Sequence, residues 1–319
     1  MKSVNNEVKL EATRNGFGKG LVELGRRSKD VVVLSADLTD SVRAHWFKKE
    51  FPERFFSFGV AEQNMIGAAA GFALSGKIAY ACTFGVFAAG RAWDQVRVSV
   101  DYMNLNVKII GTHAGISVGE DGYTHQALEE ITLMRVLPNM TMIVPSDFEE
   151  SRKATIKAAE WKGPVYIRLG RNVSPVLTEE SDPFEIGKGI LVRDGKDVTI
   201  VACGQMLCEA IKAAELLSKK GIDARVINMH TLKPIDEKIL IKAAKETGAV
   251  VTAEEHSIRG GLGGAVSEVL SQNCPVPVKM VGLLTCTQSG NPQELFKCFR
   301  LLAEDIAKMA EAALKMKKA

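Results

Sequence analysis

The segment FFSFGVAEQNM, residues 55–65, delivers one carboxylate, Glu62, from a strand exit into a helix whose next turns are small: Ile66, Gly67, Ala68, Ala69, Ala70 and Gly71. A carboxylate at a helix start can simply cap it, because the first N–H groups lack partners. The same group, buried beside a heteroaromatic ring, can share a proton with a ring nitrogen and drive tautomerisation, which is general acid–base chemistry without a protein nucleophile. The small residues that follow let a large flat ligand approach the backbone. Phe84 and Phe87, in TFGVF at the end of an expected strand, read either as core side chains or as a wall that stacks on such a ring.

A second set lies in THAGISVGEDGYTHQALEE, which carries His113, Asp121 and His125 in a long glycine-rich loop leaving the strand NVKIIG. Parallel α/β sheets place their ligands at that strand end. Two histidines and an acid raise a metal reading, but their spacing matches no helical ligand set, and the intervening glycines favour a substrate loop with donors for hydroxyls or a phosphate. Arg14, Ser41 and Arg171 stand far apart, each beside an expected element end, and singly each is an ordinary surface residue. If they converge, the fork of Arg171, after the strand PVYIRLG, holds a phosphate through two hydrogen bonds and Arg14 adds a second charge. Such a pair fits a sugar phosphate. GGLGG at 260–264 has neither the GxGxxG spacing nor a Walker Lys and Ser/Thr, and close packing at a helix start accounts for it.

The elements that must position these residues alternate. Helices are expected near Thr13 to Arg27, Glu62 to Ser75, Gly90 to Val100, Gln126 to Val136 and Asp147 to Ala159. Strands are expected at DVVVLSAD, KIAYACTF, NVKIIGTH, MTMIVPSD and PVYIRL. That rhythm predicts an α/β layer on a mostly parallel sheet. After Arg171 the pattern breaks at NVSPVLTEESDPFEIGKG, read as a linker. The rhythm then resumes through DVTIVACG, a helix Met206 to Lys219, DARVINMHTLKPID, a helix Glu237 to Thr247, AVVTAEEH, a helix after Gly263, VPVKMVGL and a last helix from Ala303. The basic ending KMAEAALKMKKA reads as a solvated helix end. The expected organisation is α/β in two domains, 7–173 and 188–316, joined by 174–187.

Composition narrows the function classes. At 319 residues, 46% hydrophobic and 25% charged, the chain buries substantial cores. Lys and Arg number 41 against 38 acids, an excess of +3 that argues against nucleic acid as partner while leaving room for local pockets that take anionic metabolites. No apolar run of about 18 residues and no signal-peptide core occurs, so a soluble, cytoplasmic protein without membrane contact is expected. The six cysteines, Cys82, Cys203, Cys208, Cys274, Cys286 and Cys298, lack paired metal-ligand spacing and suit a reducing compartment.

Taken in order, SADLTDS, FGVAEQNM, CTFGVF, GTHAGISVGEDGYTH, VPSD and IRLGR resemble the pyrimidine-binding domain of transketolase-type thiamine-diphosphate enzymes, and VACG, RVINMHTLKPID and VTAEEHSIRGGLG resemble the transketolase C-terminal domain. The resemblance covers nearly the whole chain and corresponds to the carboxy-terminal half encoded as a separate polypeptide. It implies that Glu62 bonds N1′ of the aminopyrimidine and promotes the imino form, and that Phe87 stacks on that ring with Phe84 nearby. It further implies that Arg14, Ser41, His113 and Arg171 hold the sugar phosphate, that Asp121 reads a hydroxyl, and that His125 lies near the donor C1 and C2 oxygens. The implied reaction moves a two-carbon ketol unit from a ketose phosphate such as xylulose 5-phosphate to an aldose phosphate such as ribose 5-phosphate or erythrose 4-phosphate, in the non-oxidative pentose phosphate pathway.

Full-length members begin with a domain whose GDG-type sequence binds the diphosphate through Mg²⁺ or Ca²⁺. No GDG occurs here, and GEDG at 119–122 is not that motif. The resemblance therefore implies no metal ligands on this chain, a separate N-terminal subunit that supplies them, and an α2β2 heterotetramer in which this chain also pairs with itself. Proline often follows GEDG in the family, where this chain has Tyr123. The rivals are a 1-deoxyxylulose-5-phosphate synthase-like enzyme, the beta subunit of a 2-oxoacid dehydrogenase, and a non-catalytic scaffold of the same fold. The sugar-phosphate loop together with Arg171 leans against the second, and joint retention of Glu62, the aromatics and the phosphate set leans against the third.

Overall fold

The structure, a computed structural model, describes residues 9–317. The first two residues of the expected 7–173 unit and the last two of the basic ending lie outside the described residues.

The chain runs β1 (Leu10–Ala12), α1 (Thr13–Arg27), β2 (Val31–Ser35), α2 (His45–Glu50), β3 (Phe55–Ser57), α3 (Glu62–Leu74), β4 (Ile78–Phe84), α4 (Trp93–Gln95), β5 (Val107–Thr112), α5 (Glu130–Arg135), β6 (Thr141–Ile143), α6 (Phe148–Glu160), β7 (Val165–Arg168) and β8 (Val173–Pro175). It continues through β9 (Ile190–Arg193), β10 (Val198–Ala202), α7 (Met206–Ser218), β11 (Ala224–Asn228), β12 (Thr231–Lys233), α8 (Glu237–Thr247), β13 (Val250–Ser257), α9 (Leu262–Asn273), β14 (Val278–Leu283), α10 (Pro292–Cys298) and α11 (Ala303–Lys317). The apolar run VVVLS is buried along its whole length, and so is VKIIGT, whose Lys108 donates Nζ to Trp161 O and Gly163 O at 2.7 Å; both are strands covered on both faces.

Two α/β sheets result, as the rhythm predicts, beside a two-stranded antiparallel pair of β1 with β8, which lies in the stretch read as a linker. The first has the order β12-β6-β7-β5-β4-β2-β3 and is parallel except for the β12–β6 edge pair. The second has the order β14-β13-β10-β11-β9 and is parallel except for β9 against β11. In the first sheet β2 neighbours β3 on one side and β4 on the other, so connections leave in opposite directions from a switch point, where parallel α/β sheets place their ligands.

One contiguous apolar cluster runs from Leu34 and Met65 through Met142 to Val201, Ile227 and Val266, and so crosses from one layer into the other. The segment expected as one strand, RVINMHTLKPID, divides. β11 stays in the second sheet, whereas β12 crosses to become an edge of the first. Asp147 provides a second tie: its Oδ1 accepts from Glu150 N at 2.9 Å and caps α6, while its Oδ2 accepts from Leu177 N at 2.7 Å and Thr178 N at 2.6 Å, pinning the stretch between the layers.

Two expected helices differ. The run Gly90 to Val100 forms no continuous α-helix: π-helical turns at Phe87–Arg91 and Val96–Asp101 flank α4, and the wide turns shift the face that Phe87 and Arg91 present. The helix expected from Gln126 starts only at Glu130, because Ala127 bridges to Ala114, its carbonyl accepts from Gly115 N at 2.8 Å, and the buried Gln126 side chain donates to Gly119 O at 3.3 Å.

Candidate functional site

Glu62 opens α3 and is 1% exposed, yet it caps nothing. Both of its oxygens accept from Arg91 Nη1, at 3.0 and 2.9 Å. Arg91 comes from the π-helical turn after β4, its guanidinium lies 4.5 Å from the Phe87 ring centroid, and its side chain is 47% exposed. The carboxylate is thus buried and its partner cation half-exposed.

An aromatic chain leads away from this pair. Phe84, the last residue of β4, stacks on Phe87 with centroids 5.9 Å apart and planes 16° apart. It also stacks on His113, with centroids 3.7 Å apart. His125 meets both phenyl rings edge-on, at 6.2 and 5.7 Å.

His113 follows β5 with φ +56, a left-handed conformation uncommon outside glycine, and is buried. Its Nδ1 lies 3.0 Å from Thr112 Oγ1. Burial, and then the nearby Arg14, Arg171, His125 and Arg43, push its imidazole down to about 3, so the ring is neutral at physiological pH. Ala114 N donates to Leu169 O at 3.1 Å and Gly170 N donates to Thr13 Oγ1 at 2.8 Å, which draws the ends of β5 and β7 and the start of α1 together. Those bonds place Arg14 and Arg171 beside His113.

Arg14 donates Nη1 to the Ser41 carbonyl at 2.9 Å. Burial, with Arg43 and Arg171 adding to it, lowers its guanidinium to about 10, and its Nε is buried without a partner. Arg171 donates Nη1 to Val118 O at 2.9 Å and lies 3.4 Å from Asp121 Oδ1. The structure therefore gathers the separately read residues into two adjoining groups: Glu62, Phe84, Phe87 and His125, and Arg14, Ser41, His113, Asp121 and Arg171. The Phe84–His113 stack joins them.

The GGLGG helix start is taken up by the protein itself. Leu262 N and Gly263 N donate to the two oxygens of buried Glu254 at 2.7 and 2.8 Å, so an internal carboxylate stands where a phosphate would bind. Arg91, Arg43 and Asn15 were missed. Arg91 stands four residues after Phe87, a spacing that in a helical turn brings side chains together and was the available signal. Arg43 and Asn15 had none. Among the described residues no group of three or more His, Cys, Asp and Glu side chains is placed to hold a metal ion.

Residues 11–175 match the model of the transketolase pyrimidine-binding domain, and residues 187–306 match that of the transketolase C-terminal domain. A Methanocaldococcus jannaschii protein described as a putative transketolase C-terminal section is 50% identical over 92% of this chain and 94% of its own length. A Clostridium sp. protein described as a subunit of 6-deoxy-6-sulfo-D-fructose transketolase is 43% identical over 98% of both chains. Among solved structures, one described as a split-gene transketolase in an inactive beta4 tetramer superposes with a TM-score of 0.89 at 51% identity, over 96% of this chain and 99% of that one.

Proposed function

This chain belongs to the transketolase family, as the C-terminal section of a split transketolase, and on that premise we propose that it supplies the aminopyrimidine-binding and sugar-phosphate-binding half of the active site. The reaction is two-carbon ketol transfer from xylulose 5-phosphate to ribose 5-phosphate or erythrose 4-phosphate. The supporting observation is the ring of Phe84, which stacks both on Phe87, over which the Glu62 partner Arg91 lies, and on His113, which Arg14 and Arg171 neighbour. One side chain thereby borders both a place for a flat heteroaromatic and a place for an anion.

The residues present fit thiamine diphosphate: a buried carboxylate without a capping role, next to two parallel phenyl rings, suits an aminopyrimidine ring. When bound, that group supplies the electron sink for breaking and making the carbon–carbon bond beside a ketose carbonyl. Glu62 holds and exchanges a proton at the ring nitrogen N1′. Phe87, with Phe84 behind it, covers the ring face. Arg14, Ser41, His113 and Arg171 hold the terminal phosphate, which fixes how far the sugar reaches toward the ring. Asp121 accepts from a sugar hydroxyl, and His125, at the junction of both groups, bonds the C1 and C2 oxygens.

The diphosphate and its Mg²⁺ or Ca²⁺ are assigned to a separate N-terminal subunit, in a cytoplasmic α2β2 assembly where copies of this chain also pair with each other. The test is glyceraldehyde 3-phosphate formation from xylulose 5-phosphate and ribose 5-phosphate. Turnover should require this chain, the N-terminal subunit, thiamine diphosphate and Mg²⁺ together. A verified complex with bound cofactor and no turnover would move the reading to another substrate of the family. The Clostridium sp. relative is itself described as a subunit of a transketolase for a sulfonated sugar, 6-deoxy-6-sulfo-D-fructose.

A further inference from the structure

Two arginines reach across the junction of α1 and the turn at 37–43 in opposite directions. Arg14, from the helix, donates to the Ser41 carbonyl in the turn at 2.9 Å. Arg43, from the turn, donates Nε to Asn15 Oδ1 in the helix at 2.7 Å and Nη1 to Asp40 O at 3.0 Å. Asn15 is itself oriented, since its Nδ2 donates to Glu11 at 2.5 Å and so leaves Oδ1 for Arg43. Both guanidiniums are thus fixed at one place, and neither forms an ion pair among the described residues. Arg171 approaches from a third side, through the Thr13–Gly170 bond.

The carboxylates around this junction are few. Asp121 lies 3.4 Å from Arg171, Glu120 is 4.0 Å from it and 69% exposed, and Asp40 is turned to His45 at 3.3 Å and is 88% exposed. Glu11 is taken by Asn15 and lies 3.6 Å from Lys9 Nζ, so none of these carboxylates pairs with Arg14 or Arg43, and their two charges are left for a dianion from outside. Arg43 also holds φ +67, and with Asp37 at +59 and His113 at +56 it makes three non-glycine residues in the left-handed region around one site. Backbone strain of this kind persists where the surroundings demand a particular side-chain placement. The buried, unpartnered Nε of Arg14 points the same way, to an acceptor that the protein does not itself supply.

We propose that Arg43 is a specificity-determining residue of the anion subsite, a third guanidinium beside Arg14 and Arg171 that selects a dianionic terminal phosphate ester over a monoanionic sulfonate or an uncharged chain end. The proposal rests on the phosphate-subsite reading above. A phosphate monoester carries close to two charges at neutral pH and three acceptor oxygens, enough to engage three guanidiniums at once. A sulfonate offers as many oxygens with half the charge, so geometry alone does not separate the two.

The experiment uses the full chain with inorganic phosphate and methanesulfonate as probes at pH 8, read by the ¹⁵N shifts of the His113 ring and by calorimetry. Variants are R43Q, R43K and R171A, each first shown by thermal unfolding to be folded. R43Q should weaken phosphate about tenfold, the worth of one charge-assisted hydrogen bond, and methanesulfonate clearly less, with R43K between. An unchanged phosphate-to-methanesulfonate ratio in R43Q, with R171A still abolishing phosphate binding, would overturn the role of Arg43 and leave the subsite standing. Failure of the unaltered chain to bind phosphate would overturn both.

Discussion

Arg91 places a single Nη1 between both oxygens of Glu62, at 3.0 and 2.9 Å, so the buried carboxylate is paired by a cation that is itself half in solvent. A ligand ring nitrogen approaching Glu62 must share it with Arg91 or displace it. Arg91 belongs to the five-residue π-helical turn Phe87–Arg91 and not to the sheet.

Truncating Arg91 leaves Glu62 buried without a cation. Arg91→Ala should therefore destabilise the isolated chain by about 1–2 kcal/mol, below the usual figure for a fully buried pair because Arg91 is exposed. In a double-mutant cycle with Glu62→Gln, urea unfolding should show a coupling of about 1 kcal/mol. Additive single-mutant effects would mean that the pair contributes nothing.

Arg171 is paired with Asp121 at 3.4 Å, and a phosphate that takes the arginine frees the aspartate to meet a sugar hydroxyl. Arg171→Ala should raise KM for phosphorylated substrates by about 10- to 100-fold, as expected for losing a charge-assisted bond made in ground and transition states alike. Unphosphorylated ketoses should be nearly unaffected, and equal losses for both classes would show that this arginine does not clamp phosphate.

His113 is pushed down to about 3 from 6.5, and Glu254 is pushed up to about 7 from 4.5, in both cases chiefly by burial. The signs oppose. Below pH 6.5 the unfolded chain binds a proton that folded His113 refuses, so its contribution to stability is lost as pH falls from 6.5 toward 3. Folded Glu254 keeps its proton where the unfolded group has lost it, so its contribution is present below 4.5 and lost as pH rises to 7. Between 4.5 and 6.5 the two offset each other, which makes a global stability curve a poor probe. A ¹⁵N titration of the His113 ring should instead show one neutral tautomer down to pH 5, and inorganic phosphate should raise its pKa. A midpoint near 6.5 in the free chain would contradict the burial described.

Much of the fold was legible because fully buried parallel strands leave continuous apolar runs such as VVVLS, and no tertiary information is needed to read them. Phe84 and His113 could be named as candidates because strand ends carry ligands in such sheets, and Glu62 because a lone carboxylate stands before a helix of small residues. What was hidden depends on spatial neighbours. The π turns that aim Arg91 at Glu62 leave no periodic signature, the start of α5 is delayed by the Ala114–Ala127 bridge across the loop, and β12 joins a sheet belonging to the other layer. The same holds for Asn15 and Arg43, whose bond spans 28 positions.

Two glycines test that spatial picture. At Gly115, φ is +83, and a Cβ would fall 1.7 Å from the Glu255 carboxylate, which accepts from Ser117 N at 2.8 Å. At Gly67, on the open side of α3, a Cβ would meet nothing within 4 Å. Gly115→Ala should cost more than about 3 kcal/mol or prevent folding, whereas Gly67→Ala should stabilise the isolated chain by about 0.5–1 kcal/mol. Comparable unfolding midpoints for the two variants would contradict the packing of Glu255 against this loop.

Glu62→Gln in the reconstituted two-subunit complex tests the proton-transfer role most directly. The substitution keeps size and the acceptor oxygen but removes the ionisable group. It should leave assembly intact, preserve measurable binding of thiamine diphosphate, and lower kcat for ketol transfer by about 10²- to 10⁴-fold, the range for a general acid–base group. Near-normal turnover by a verified, cofactor-loaded Glu62→Gln complex would contradict the assignment.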